Sequence, residues 1–487
     1  MTQQSKLGAA LRFLVPLAAF VLVYALLGGL GHEKAIVGAV FAMTVALWIT
    51  ELLPLAVTAL LSTSLLVLLG QIPEKDAYAA YGDPIIPLFI GSFLLAKAMD
   101  LTGLGQRFAY FILSKRWANK SPAMLLLALG LVSCILSLLV SNTAVTAMML
   151  PIGLATLSAL NHRQEGSAYA VGMMLMLTWA SSVAVGLPVG TPPNLIGISM
   201  IETATGTRIS FVQWMTFGMP ITFFTMLISW GLLWFLYKRD APETAPAGAA
   251  AREELRELGS MRASERVVLI AAVVAMILWV LPDSFELVLG KKHELTSWLQ
   301  AHLTAAGAAI IAASLLFILP AKDREANRAL TWREGTRIDW GTILLFGGGI
   351  ALGQAMFKSG LAKELGQLAA TASGANTLWT ITALSIVAAI VLSELASNTA
   401  AATTLVPVAI GLAQGANVSP IAPALGAAIG ASFGFMLPVS TAPNAIVYSS
   451  GLVPSKEMLK SGILLDVLSA VVIWCCLRLI LPLMGLV

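Results

Sequence analysis

Charge is what this chain has least of. Asp, Glu, Lys and Arg make up 11% of its 487 residues and apolar residues 58%, against roughly 25% and roughly 45 to 50% in globular proteins. A soluble enzyme is excluded on that balance. The three cysteines, Cys134, Cys475 and Cys476, all fall in apolar stretches, so there is neither a disulfide framework nor a paired metal-ligand spacing. The histidines, His32, His162, His293 and His302, lie in loops or near the ends of apolar runs, and no HExxH occurs. No paired acids are expected among the apolar stretches, so metal or acid–base catalysis lacks its residues. A serine nucleophile without a base is all that supports an intramembrane enzyme. Walker A is missing too, since GKK at 290–292 lacks its pattern. The net charge of +4 leaves no nucleic-acid footprint.

The apolar residues run in long blocks. A helix needs about 20 of them to cross about 30 Å of hydrocarbon. Eleven runs qualify, near 12–30, 35–53, 54–72, 84–105, 168–201, 214–237, 266–281, 299–320, 340–357, 421–451 and 459–484. Two more stretches, 122–160 and 376–414, are too long for one span and are broken centrally by Ser, Asn and Thr. Each predicts a helical hairpin, re-entrant or fully crossing. The first run exceeds a signal peptide's apolar region of about 7 to 15 residues and is expected to be retained. With the N-terminus in the cytoplasm, 20 of 29 Lys and Arg fall inside, 8 outside, and Lys97 lies within a span. The positive-inside rule demands that asymmetry, so the expected topology is N-in, C-out. Between the halves, 238–266 mixes Pro, Ala and alternating charge, which predicts a solvated cytoplasmic connector, helical from Ala249 to Leu258.

The chain repeats itself across that connector. SNTAVTAMMLPI at 141–152 matches SNTAAATTLVPV at 397–408, and LPVGTPPN at 187–194 matches LPVSTAPN at 437–444. The offsets are 256 and 250, and Asp83 with Asp339 and Gly91 with Gly347 echo the first. An odd number of crossings separates the copies, so the second half is expected to be inverted relative to the first.

Charge is scarcest where the repeats lie: 122–160, 168–200 and 417–451 contain none, and 376–414 only Glu394. Irregular backbone at membrane depth is tolerated only where it is buried in protein or lines a cavity, and an internal Pro frees a carbonyl. LPVGTPPN and its twin therefore predict unwound breaks. Two broken helices and two hairpin tips in inverted halves point to a midplane site in a secondary transporter. Helix N-termini there suit an anion and free carbonyls suit Na⁺. Neither motif supplies Lys or Arg, so co-bound cations must help to neutralise the anion. Other polar groups read as structural: Lys97 with Asp100 as a helical pair, Glu51 in WITELLP as a helix end, and Met148, Met149, Met173, Met174 and Met176 as core filler.

The paired SNT motifs, the two PN loops, SELASNTA at 393–400, MLPVSTAPNA at 436–445 and WITELLP at 48–54 together resemble the divalent anion/sodium symporter family, the INDY-type dicarboxylate carriers. The resemblance implies an all-α polytopic membrane protein with about eleven spans and two re-entrant hairpins in an inverted repeat. It also implies a homodimer in a bacterial inner membrane, with an elevator-like transport domain sliding on a scaffold. Scaffold parts would be 11–113 and 266–370, transport parts 122–237 and 375–485, and 238–265 the linker. Na⁺-coupled symport of succinate, malate or fumarate is implied, with two or more Na⁺ and no organic cofactor. A dicarboxylate exchanger and a sulfate carrier are the alternatives. Carried over by residue, Asn142, Thr143, Asn398, Thr399, Thr441 and Ala442 would meet substrate. One Na⁺ would sit at Ser137, Val140, Asn142 and Gly190, and a second at Ser393, Ala396, Asn398 and Ser440. Ala442 departs from the commoner TPPN, where a Pro stands, and Ser440 replaces a usually smaller residue.

Overall fold

The computed structural model describes residues 3–163, 166–324, 326–373 and 376–487, with backbone alone for 3–13, 369, 370, 372 and 373. The side chains of Lys6 and Arg12 and the expected boundary at Ala375 thus lie outside the described residues. Apart from one isolated bridge, Pro320 to Arg328, all regular structure among them is helical. Eight helices have the length and composition to cross a membrane, or nine if Glu294–His302 and Ala305–Ile318, bent by 68°, count as one span. Leu55–Leu68, Pro122–Ser137, Ala168–Ser182 and Ile421–Gly430 are shorter and apolar.

The predicted interruptions are present. The 168–201 run divides into Ala168–Ser182, a 3-10 turn Pro188–Gly190, and Pro192–Thr205. Its twin divides into Ile421–Gly430 and Ala442–Tyr448. Both hairpins turn at SNT, between Pro122–Ser137 and Asn142–Ala159, and between Leu378–Leu395 and Asn398–Gly415. The tips stop one helix and start the next because a Ser side chain accepts from the N–H three residues on: Ser141 from Ala144 at 3.3 Å, and Ser397 from Ala400 at 3.2 Å. Glu51 ends His32–Thr50 in the left-handed region at φ 48°, and Lys97 meets Asp100 at 3.5 Å.

The halves interlock crosswise. Ile85–Thr102 packs on Ala305–Ile318 of the other half, where a Cβ on Gly91 would lie 2.6 Å from the Ala309 carbonyl carbon. Trp340–Lys358 packs in the same way on Leu55–Leu68, where Gly348 faces the Ala59 backbone. Beyond each of these glycine-bearing helices the chain kinks at a positive-φ glycine, Gly103 or Gly360. There it starts a short helix, Leu104–Leu113 or Leu361–Ser373. Ion pairs hold both short helices: Arg107 to Glu265 at 2.9 Å and Glu364 to Lys34 at 2.7 Å.

The connector differs from the solvated arm that its composition predicts. Its helix runs Ala245–Glu257, packs on Leu104–Leu113 and Asn142–Ala159, and buries Ala247, Gly248 and Ala251. Gly248 rests on the Asn119 side chain, and Thr244 donates to the Asn119 carbonyl at 2.7 Å. The small residues that look like linker composition are a docking face.

Candidate functional site

Each tip is tied to its own hairpin by one polar contact. Ser137 Oγ donates to Asn142 Oδ1 at 2.7 Å, and Ser393 Oγ to Asn398 Oδ1 at 2.9 Å. This holds the amide oxygen inward with lone-pair capacity left over. Asn398 Nδ2 donates to the Ser432 carbonyl at 3.2 Å, fastening the second tip to the unwound segment 431–441.

The breaks come against the tips. A Cβ on Gly190 would lie 2.6 Å from the Ala184 carbonyl oxygen and 3.5 Å from that of Leu138. The first tip thus reaches the first break at the Leu138 carbonyl, an ordinary contact, while the Ala184 carbonyl within the break is what requires Gly at 190. In the second half a Cβ on Gly434 would lie 3.3 Å from Ser393 Oγ, 3.5 Å from the Ser393 carbonyl oxygen and 3.5 Å from Ser440 Cβ. Ser137, Asn142 and Gly190 therefore gather in one half, and Ser393, Asn398 and Ser440 in the other. Val140 and Ala396 are the buried turn residues beside them.

The asparagine of each PN pair braces its own break. Asn194 Nδ2 donates to the carbonyls of Val185 and Leu187 at 3.2 and 2.9 Å. Asn444 Nδ2 donates to those of Gly434 and Leu437, both at 3.0 Å. Thr191 and Thr441 precede the resuming helices with matching backbones, φ −141° and ψ 146° against φ −139° and ψ 149°. Pro192 and Ala442 thus occupy the same first helical position. Thr441 caps its helix by accepting from Asn444 N at 3.2 Å. Thr191 turns its hydroxyl across the repeat to Ser432 at 2.9 Å. Thr143 and Ala442 are exposed, while Thr399 and Thr441 are buried.

Thr178 and Asp466 are not apparent in the sequence as participants, whereas Glu394 stands out there as the lone charge of 376–414 and is expected near a partner or water. Thr178 donates to Asn444 Oδ1 at 2.7 Å, and with the Thr191–Ser432 pair it stitches the halves together. Glu394 accepts from Met436 N at 2.9 Å, from Leu437 N at 3.2 Å and from Ser440 Oγ. The carboxylate clamps the second break and engages the Ser440 hydroxyl. Asp466, in Ser455–Leu483, lies against Glu394. That contact corrects the expectation of no paired acids among the apolar stretches: residues 72 positions apart, 394 and 466, carry no local signal of pairing. No Lys, Arg or His pairs with either acid among the described residues.

The site can take an anion at helix N-termini and cations at carbonyl, amide and hydroxyl oxygens. Asn142–Ala159 packs on Ala442–Tyr448, and Asn398–Gly415 on Pro192–Thr205, so each tip helix meets the resuming helix of the other half.

Comparison with known proteins bears on the family and the fold. The sodium:sulfate symporter transmembrane region family matches residues 7–485. The sodium-dependent dicarboxylate transporter SdcS of Staphylococcus saprophyticus is 33% identical over 459 residues, covering 91% of this chain and 86% of that protein. SdcS of Staphylococcus aureus is 34% identical over 445 residues, covering 89% and 84%. Among solved structures, the Alcanivorax borkumensis YdaH transporter aligns with a TM-score of 0.54 at 14% identity, over 84% of this chain and 87% of that one. Neisseria gonorrhoeae MtrF aligns at 0.56 and 11% identity, over 83% and 82%. At such identities these two speak for the fold alone. A family match across nearly the whole chain, on a helical structure with paired tips and breaks, identifies this chain as a multi-pass membrane transporter of the divalent anion/sodium symporter family.

Proposed function

We propose that this transporter imports C4-dicarboxylates such as succinate, malate or fumarate by Na⁺ symport, as an elevator-type homodimer. One observation carries the reading. Two equivalent tips each set an Asn amide oxygen and turn carbonyls against an unwound break, with no Lys or Arg at hand. A dianion there has only helix dipoles, amides and bound cations to balance it, so substrate and Na⁺ bind best together. The names of the SdcS relatives point the same way. One Na⁺ is assigned to Ser137, Val140, Asn142 and Gly190, a second to Ser393, Ala396, Asn398 and Ser440, and the carboxylates to Asn142, Thr143, Asn398, Thr399, Thr441 and Ala442. In the same reading the hairpins are re-entrant, the halves inverted, the topology N-in and C-out with about eleven spans, and 122–237 and 375–485 move against 11–113 and 266–370.

Uptake into proteoliposomes tests this, with gradients of Na⁺, Li⁺, K⁺ or pH imposed separately and succinate, citrate, 2-oxoglutarate and sulfate as competitors. The expected result is succinate uptake driven by inward Na⁺. Na⁺-independent uptake accelerated by internal dicarboxylate establishes an exchanger instead. Competition by sulfate alone, in keeping with the family's description, overturns the substrate class.

A further inference from the structure

We infer a further Na⁺ site, built by Asp466 and Ser469 of the last span against Glu394 and adjoining the second tip site, whose Ser440 Glu394 engages. The inference rests on the Na⁺-coupled reading above. Asp466 lies about 16 Å along a helix that begins at Ser455, at 1.5 Å per residue, which puts it deep in the span. It is 5% exposed, and its polar neighbours, the Glu394 carboxylate and the Phe435 backbone N–H, do not reach hydrogen-bond geometry with either carboxylate oxygen. Ser469, one turn on and fully buried, has an equally unpartnered hydroxyl. Glu394, which Asp466 touches, accepts from two backbone N–H groups and from Ser440. Two acidic groups in contact away from water are neutralised by a shared proton or by a bound cation, and no protein cation lies there among the described residues. Carboxylate and hydroxyl oxygens are the donors a hard cation takes.

The other half shows what this position needs for structure alone. Gly462, four residues before Asp466, lets the last span touch the backbone of Phe435 and Met436 in the second break. Gly218 stands likewise against the Gly186 carbonyl oxygen of the first break. Four residues beyond Gly218 is Thr222, which donates to the Val183 carbonyl at 3.0 Å, and Thr225 follows with its hydroxyl on Ile221. The counterpart of Glu394, at the 256-residue offset that relates Asn142 to Asn398, is Leu138. The first half packs this junction with neutral, satisfied side chains. The second places two acids and an unpartnered hydroxyl there, which packing does not require. An ionisable group inside a membrane marks an ion pathway or a partner.

Equilibrium binding of radiolabelled Na⁺ to the purified, substrate-free full-length protein counts ions per chain. Asp466→Asn is expected to bind one Na⁺ fewer than wild type while eluting as folded protein. Ser469→Ala, which removes one neutral donor and a small volume, is expected to keep the count and weaken one ion a few-fold to about tenfold, about 1.4 kcal/mol at most. An unchanged count in Asp466→Asn with unchanged affinity in Ser469→Ala overturns the site. So does an unchanged count together with wild-type uptake that follows an imposed pH gradient, since a proton then sits between the acids. Asn142→Ala and Asn398→Ala run in parallel keep the two readings apart: full ion counts there overturn the tip sites and leave the Asp466 result standing.

Discussion

At the scale of single residues, Asn142 and Asn398 are equivalent but differently engaged. Both hold their amide oxygen on a Ser five residues upstream, yet only Asn398 also donates to a carbonyl of the facing break. A structural Asn in a membrane helix contributes about 1 kcal/mol, so Asn142→Ala and Asn398→Ala are expected to leave folded protein near wild-type yield. Uptake is expected to vanish in both, because each removes a cation ligand and a substrate contact at once. Near-normal uptake by both variants would reduce these residues to packing groups. Ala442 makes a sharper case. It begins its helix after a Thr whose backbone matches that before Pro192, and a first-turn N–H has no helical partner to lose. Ala442→Pro is therefore expected to fold, with apparent substrate affinity changed by a few-fold to about tenfold, no more than about 1.4 kcal/mol. Loss of folded protein would separate Ala442 from Pro192 and undo the roles given to Ser440 and Thr441.

Between elements, carboxylates outside the membrane do the fastening. Asp240, beyond the end of Phe211–Tyr237, accepts from Ala168 N at 3.0 Å and Tyr169 N at 2.7 Å, so it caps Ala168–Ser182, the first part of the broken helix. Burial pushes its carboxyl up, but hydrogen bonds from the Ser167 side chain and from the backbone N–H groups of Tyr169, Asp240 and Ala168 outweigh it and hold the pKa below the ordinary value. A lowered folded-state pKa stabilises fully above the unfolded value of about 3.9 and loses that stabilisation as pH falls through the folded one. Thermal unfolding in detergent should therefore separate wild type from Asp240→Asn at pH 7, and the gap should close as pH falls below about 4. A gap that stays constant with pH would remove the charge from the explanation. The Arg107–Glu265 pair fastens the other junction. Arg107 also donates to the carbonyls of Leu258, Gly259 and Ser260, and the Glu265 side chain is wholly buried. Removing one partner of a buried pair costs about 3 to 5 kcal/mol, whereas an apolar replacement of both costs much less. Arg107→Ala and Glu265→Ala should each lower the unfolding temperature clearly more than Arg107→Met with Glu265→Leu.

For the whole molecule, the testable consequence of the proposed inversion is sidedness. With Cys134, Cys475 and Cys476 replaced, a thiol introduced at Ser141 of the first tip is expected to react with an impermeant reagent from the cytoplasm and one at the matching Ser397 from outside, both positions being at least partly exposed. Labelling of both from one side, with and without substrate, would break the inverted arrangement. Much of this architecture is legible in the chain, because membrane insertion and helix breaking are local. Long apolar runs mark spans, a Ser cap marks each tip, and Pro with Gly marks each break, so two motifs repeated in the same order at offsets of 256 and 250 reveal two matching halves. The sequence by itself thus determined a helical membrane transporter, its family resemblance, and the residues at tips and breaks. The tertiary structure decided what local signals cannot carry: that Thr178 reaches Asn444, that Thr191 meets Ser432, that Ala247 and Ala251 dock the connector, and that Asp466 faces Glu394. The physical reason is range. Caps and breaks act within a turn or two of helix. These contacts join residues brought together only when helices from different parts of the chain pack, and a lone Asp, Thr or Ala in an apolar run looks the same wherever it ends up.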